Sequence, residues 1–159
     1  MTSVGDPTDP HAARQLAVFL LARRDYCSSE LRSKLRVKGF ADDIVQALIG
    51  ALQQEKVLDD QRYVEHFVAY HSGRGQGPAR IKRDLQALRL PADLIERAVA
   101  EGPDWVARAR EVRQKKFGRV LPQAYAEKAK QARFLQYRGF TGAQIRQALG
   151  TDIDLDADT

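Results

Sequence analysis

Residue types that do chemistry are few in this chain, and none is spaced to do it. His66 and His71 stand five residues apart, which puts them on different faces of a helix. A single cysteine, Cys27, leaves no zinc-ligand spacing. The three histidines, His11, His66 and His71, read as surface residues. Gly73, Gly75 and Gly77 resemble a phosphate loop, but they lack the lysine-threonine ending and a preceding strand. They read instead as a flexible linker between helices. The pair Asp59-Asp60 has the look of a metal or acid pair, yet it sits where a helix begins and reads as a cap. Cys27 precedes a helix, a place where a thiol can be activated. With no histidine near it in sequence, it reads as structural. No catalytic residue, cofactor or metal ligand is expected, and the chain reads as a non-enzyme.

Composition agrees with a helical, basic, reducing-compartment protein. The chain has 159 residues, 30% charged and 43% hydrophobic, enough apolar material for one core or several small ones. The longest apolar run, Leu16 to Ala22, falls short of the roughly 20 residues of a spanning helix, so no membrane is expected. The first ten residues carry Asp6 and Asp9 and do not read as a signal peptide. One cysteine forbids an intramolecular disulfide, and the cytoplasm is the simplest compartment. The formal net charge is +5. It conceals an acidic tail (Asp152, Asp154, Asp156, Asp158) and a basic body whose excess is concentrated between Trp105 and Gly150. A basic body suits a polyanionic or acidic partner.

Stepping along the chain at an offset of fifty exposes a repeat. Leu35, Leu85 and Leu135 coincide, as do Phe40, Leu90 and Phe140, then Val45, Ile95 and Ile145, then Ile49, Val99 and Leu149. Gly39 and Gly139 match with Arg89 between them. Apolar spacing follows the 3.6 period of helices and not the alternation of strands. Helices are expected over 11–23, 28–37 and 42–53 in the first copy, with the second copy starting at an Asp59 cap stapled by Leu58 and Tyr63. Its later helices fall at 79–88 and 91–101, with Pro91 at the first helical position. In the third copy they start near Asp104, run over 123–137, and restart at Thr141 with Gln144 as its capping-box partner. The expected architecture is all-α: three tandem three-helix repeats in an elongated, curved arrangement. The boundaries read as a disordered head at 1–10, repeats at 11–57, 58–102 and 103–150, and an acidic disordered tail at 151–159.

Positive charge gathers on the middle helices. Arg32 and Arg36 lie one turn apart, Lys82 and Arg83 follow Ile81, and Lys130 and Arg133 share the third copy's middle helix. The first helix of that copy adds Arg113, Lys115 and Lys116. These nine side chains are the candidate contacts for a filament or for DNA. A three-helix unit also invites a helix-turn-helix reading, a DNA-binding transcription regulator whose last helix enters the major groove. The charges oppose it in the first two copies, and only the last helix, with Gln144, Arg146 and Gln147, is suited to read bases. The 42–53 helix opens on two aspartates and has no Lys or Arg, and the 91–101 helix sets Asp93 and Glu96 against Arg97.

Several segments, taken in order, carry a family resemblance. They are Leu20-Leu21-Ala22-Arg23-Arg24, Glu30-Leu31-Arg32-Ser33-Lys34-Leu35, Lys38-Gly39-Phe40 and Leu58-Asp59-Asp60-Gln61-Arg62-Tyr63. After them come Phe67-Val68, Gly75 and Gly77, Arg80-Ile81, Asp84-Leu85, and Phe134-Leu135-Gln136-Tyr137-Arg138-Gly139-Phe140. Together they resemble the RecX family of bacterial regulatory proteins over roughly residues 12–150. The resemblance implies a modulator, most often an inhibitor, of the RecA recombinase in DNA repair and the SOS response. It implies a chain that lies in the helical groove of the RecA–DNA filament and suppresses ATP hydrolysis, strand exchange and coprotease activity. The expected partner is that filament, with weak non-specific DNA binding, and the expected state is a monomer. One departure stands out. Where the family has a serine three residues before Glu30, this chain has Cys27, which should weaken a capping box by about 1 kcal/mol.

Overall fold

Every member of the four apolar columns is buried. Leu35, Leu85, Leu135, Val45 and Ile145 are fully enclosed, and the rest, Leu90 among them, are nearly so. The computed structural model describes residues 5–150 and, among them, nine helices and no strand. They are α1 (Pro10–Arg23), α2 (Ser28–Val37), α3 (Asp42–Gln54), α4 (Asp60–Gly73), α5 (Pro78–Ala87), α6 (Ala92–Ala100), α7 (Trp105–Phe117), α8 (Tyr125–Arg138) and α9 (Gly142–Leu149). The fold is all-α and built of three tandem three-helix repeats, as the periodicity requires. The acidic tail lies outside the described residues.

The repeat extends further than the columns show. In each copy the first helix buries two side chains four residues apart: Ala13 and Ala17, then Val64 and Val68, then Ala109 and Arg113. The middle helices bury Leu31, Ile81 and Gln131 at the same offset of fifty. The turn after each middle helix is left-handed, at Gly39 (φ 106°), Arg89 (φ 58°) and Gly139 (φ 101°). Glycine takes this conformation freely, and Arg89 takes it at a steric cost.

The chain divides into two units: residues 1–64 with 88–90, and residues 65–87 with 91–159. In the first unit, α1, α2 and α3 close over Leu31, Leu35, Phe40, Val45 and Leu52, with Leu16 and Leu20 packed against them. Residues 7–10, at the end of the expected head, are held in place by local bonds. Asp9 Oδ1 accepts from the His11 and Ala12 amides, Pro10 opens the helix, and Ala41 N–H donates to the Pro7 carbonyl at 2.9 Å. A capping acceptor and a backbone bond hold residues whose side chains could not.

In the second unit, α7, α8 and α9 enclose Ala109, Ala132, Leu135, Phe140, Ile145 and Leu149, with Trp105 and Phe134 at the margin. The Thr141–Gln144 box falls where expected, and at the expected start near Asp104 the aspartate caps the helix by accepting from Ala107 N–H. Pro91 differs from expectation. It is the residue before α6, with ψ 137°, so Ala92 opens the helix.

The glycine-rich segment is not a flexible linker. Gly77 N–H donates to the Arg138 carbonyl at 2.8 Å, and Ala79 N–H donates to the Gly139 carbonyl at 2.9 Å. A Cβ on Gly77 would sit 2.3 Å from the Gly139 carbonyl carbon, and one on Gly139 would sit 2.4 Å from Arg80 Cβ. Backbone meets backbone here, and the glycines exist to permit that approach.

Candidate basic interface

Two polar clusters explain which charged residues are structural. The first surrounds the start of α2. Cys27 occupies the cap position with its thiol wholly buried, and burial raises its pKa, so it is not an activated nucleophile. Glu30 completes the box by accepting from Cys27 N–H at 3.2 Å. The Cys27 sulfur accepts from Glu30 N–H as the other half of the box, but sulfur is a poor acceptor, and the helix start also recruits a second carboxylate. Asp60 accepts from Ser28 N–H at 2.8 Å and from the Ser28 hydroxyl at 2.6 Å. Asp59 caps its own helix by accepting from Arg62 N–H at 3.1 Å. The two aspartates therefore serve two helix starts, which leaves neither for a metal or acid pair.

Glu30 is the hub of that cluster. Its carboxylate also receives Arg24 at 3.2 Å and the Tyr63 hydroxyl. Burial pushes its pKa up, but the Cys27 amide, Arg24 and Tyr63 outweigh burial and hold it below the ordinary carboxylate value. Burial and the neighbouring Glu30 charge push Tyr63 above its ordinary value. Because folding lowers the Glu30 pKa, its stabilisation is complete above the unfolded value of about 4.5 and is lost as pH falls through the folded one. Glu30→Gln is accordingly expected to melt below the parent chain at pH 6, with the gap narrowing toward pH 3. Thermal melts by circular dichroism across that range check it.

The second cluster removes one candidate contact. Arg113 is only 1% exposed. It takes the buried position that Ala17 and Val68 hold in the other copies. Its guanidinium donates to Gln131 Oε1 at 3.3 Å, to the Val120 carbonyl at 3.4 Å and to the Arg119 carbonyl at 3.3 Å. Gln131, itself 3% exposed, passes the link to Glu127 at 3.2 Å. A buried cation needs such partners to be tolerated. Arg113 was expected on the surface, and it is instead the strut that holds the segment following α7. Arg113→Ala is expected to cost about 3 kcal/mol, since it empties the site and strands Gln131. Urea titration measures this, and a loss under about 0.5 kcal/mol would contradict the structural role.

The other eight candidates differ in how available they are. Arg36 pairs with Asp42 at 2.8 Å, and Lys82 with Glu96 at 2.9 Å. Arg32 is half-buried, with its Nε enclosed. Arg83, Lys115, Lys116, Lys130 and Arg133 are exposed. Arg83 and Lys115 have no acidic partner within ion-pair distance among the described residues. In the second unit Lys115 and Lys116 line a cleft of about 470 Å³ together with Arg74, Arg108 and Arg138. Arg108 and Arg138 belong to basic helices that the sequence marks, though not to the nine candidates, and Arg74 is marked by nothing in the sequence. Arg74 sat in the presumed linker, and only the fold brings that segment to α7 and α8. His71 was also misplaced: it is half-buried, with its ring 4.0 Å from that of Phe67. Among the described residues no helix is long and apolar enough to cross a membrane.

Comparison with known proteins places the fold. Three family models match in order: RecX, first three-helix domain, over residues 13–52; RecX, second three-helix domain, over 59–99; and RecX, third three-helix domain, over 104–149. The regulatory protein RecX of Vibrio vulnificus is 40% identical over 142 residues, 89% of this chain and 93% of that one. That of Pseudomonas entomophila is 40% identical over 146 residues, 91% of this chain and 94% of that one. The crystal structure of RecX from Lactobacillus salivarius superposes with a TM-score of 0.78 at 19% identity, covering 89% of this chain and 94% of that one. Matched along all three repeats, the chain belongs to the RecX family of regulatory proteins.

Proposed function

We propose that the chain regulates the RecA recombinase by binding the RecA–DNA filament, in its helical groove. There it lowers ATP hydrolysis, strand exchange and coprotease activity, within DNA repair and the SOS response. The observation that carries this reading is membership of a family of regulatory proteins over the full run of repeats. The described surface supports it: exposed cations on the middle helices suit a groove lined by phosphates or acidic side chains. In this reading the protein works in the cytoplasm as a monomer, without a cofactor and without catalysis. Arg32, Arg36, Lys82, Arg83, Lys115, Lys116, Lys130 and Arg133 supply the contacts, with Arg113 holding the fold behind them. The test is co-sedimentation with RecA filaments assembled on single-stranded DNA with a non-hydrolysable ATP analogue. The chain should pellet with filaments and stay in solution with RecA alone at the same concentration. A chain that stays in solution in both cases overturns the proposal.

The helix-turn-helix alternative has less support. The first turn of α3 is Asp42-Asp43 and its last turn has no basic residue, while α6 opens near Asp93. Helices of that charge are repelled by a phosphate-lined groove.

A further inference from the structure

The cleft in the second unit has a chemistry of its own. Arg74, Arg108, Lys115, Lys116 and Arg138 converge on it, and Glu111 is its one carboxylate. Arg108 meets Glu111 at 3.2 Å, so four cations remain uncompensated. Like charges crowded in one concavity repel one another, and an anionic occupant relieves that repulsion. The walls are also aromatic. The Arg138 guanidinium lies 5.4 Å and the Lys116 ammonium 5.9 Å from the Phe134 ring centre. One helical turn before the lining residue Arg74, Tyr70 is 60% exposed, with Arg74 5.6 Å from its ring and 3.4 Å from its hydroxyl. A large ring left in water beside a cation is a platform with an unused face.

We infer that this cleft binds single-stranded nucleic acid, its cations tracking successive phosphates and Tyr70 stacking on a base. Cations along a groove with an exposed ring beside them are what a single strand needs, because its bases are free to stack. A duplex hides its bases from Tyr70, and an acidic peptide has no flat face to offer it. Binding here does not rest on the filament reading, since the site needs no RecA.

Fluorescence anisotropy of a labelled 15-nucleotide oligo-dT with the full chain tests it, with no RecA present. Arg74→Ala, Lys115→Ala and Arg138→Ala should each weaken binding at least fivefold at low salt and reduce the slope of log K against log salt by about one. Tyr70→Ala should weaken binding at least fivefold with the slope unchanged, the signature of stacking without charge. Arg97→Ala, an equal loss of charge on exposed α6, should change affinity less than twofold. Melting curves matching the parent chain show that each variant is folded. Cleft variants that bind like the parent, or like Arg97→Ala, overturn the site. A poly-glutamate of equal charge that competes as well as unlabelled oligo-dT overturns the ligand.

Discussion

Gly77→Ala is expected to lower the melting temperature by about 6–12 °C. The added methyl would lie 2.3 Å from the Gly139 carbonyl carbon, 2.4 Å from Phe140 N and 2.5 Å from the Gly139 oxygen. All three are backbone atoms, so no side chain can swing aside. Relief requires the α5 start and the α8 end to part, which breaks the bonds from Gly77 N–H and Ala79 N–H. Overpacking of that severity costs about 3 kcal/mol or more, and each kcal/mol shifts a chain of this size by roughly 2–4 °C. Gly50→Ala is the matched control. It stands within α3 with nothing inside 4 Å of the new methyl, so it should raise stability by about 0.5–1 kcal/mol. The two substitutions are the same chemical change, and differential scanning calorimetry should find opposite signs. A Gly77→Ala chain that melts like its parent would show that the close approach does not exist.

The second large effect concerns function. Under the proposed function, combining Arg83→Glu, Lys115→Glu and Lys130→Glu should raise the concentration needed for half-inhibition of RecA at least tenfold. These three are exposed, on three different helices. Arg83 and Lys115 have no ion pair to lose among the described residues, and Lys130 adds only a 5.9 Å approach to the Phe117 ring. Reversing them therefore leaves the fold intact while turning attraction into repulsion, worth about 1 kcal/mol per site at a solvated interface. Arg113→Glu is the uninformative counterpart. It would also abolish inhibition, but by placing a carboxylate against the Arg119 and Val120 carbonyls. Inhibition assays with melting curves on the same samples separate the two.

Much of the fold was legible because each copy of the repeat restates the same constraint. Leu35, Phe40, Val45 and Ile49 recur at fixed distance, and burial follows the recurrence. The caps at Asp59 and Thr141 were legible because a cap is a local arrangement between neighbours in sequence. What escaped notice was non-local. Asp60 capping Ser28 spans 32 residues, and no local pattern announces it. The Gly77 contact depends on residues some sixty positions away meeting backbone to backbone. Arg113 looked like surface because charge is read as exposure, yet one signal was there. Gln131 falls in the fifty-residue column of Leu31 and Ile81, a polar residue where the other copies bury an apolar one, while the first helices are out of that register and gave no such mark for Arg113. A polar residue in an otherwise apolar column implies a buried polar partner, and Arg113 is that partner. The basic cleft was half legible: Lys115 and Lys116 were marked by charge, but Arg74 was hidden in a segment read as slack.

The most direct measurement is RecA ATP hydrolysis on single-stranded DNA with and without this chain. The DNA should be held in excess over both proteins, so that capture of free strands by the basic cleft cannot mimic inhibition. The account predicts that hydrolysis falls as the chain approaches equimolarity with RecA, and that adding more DNA does not restore it. A rate unchanged by an excess of the folded chain, or one fully recovered by added DNA, would contradict regulation through the filament.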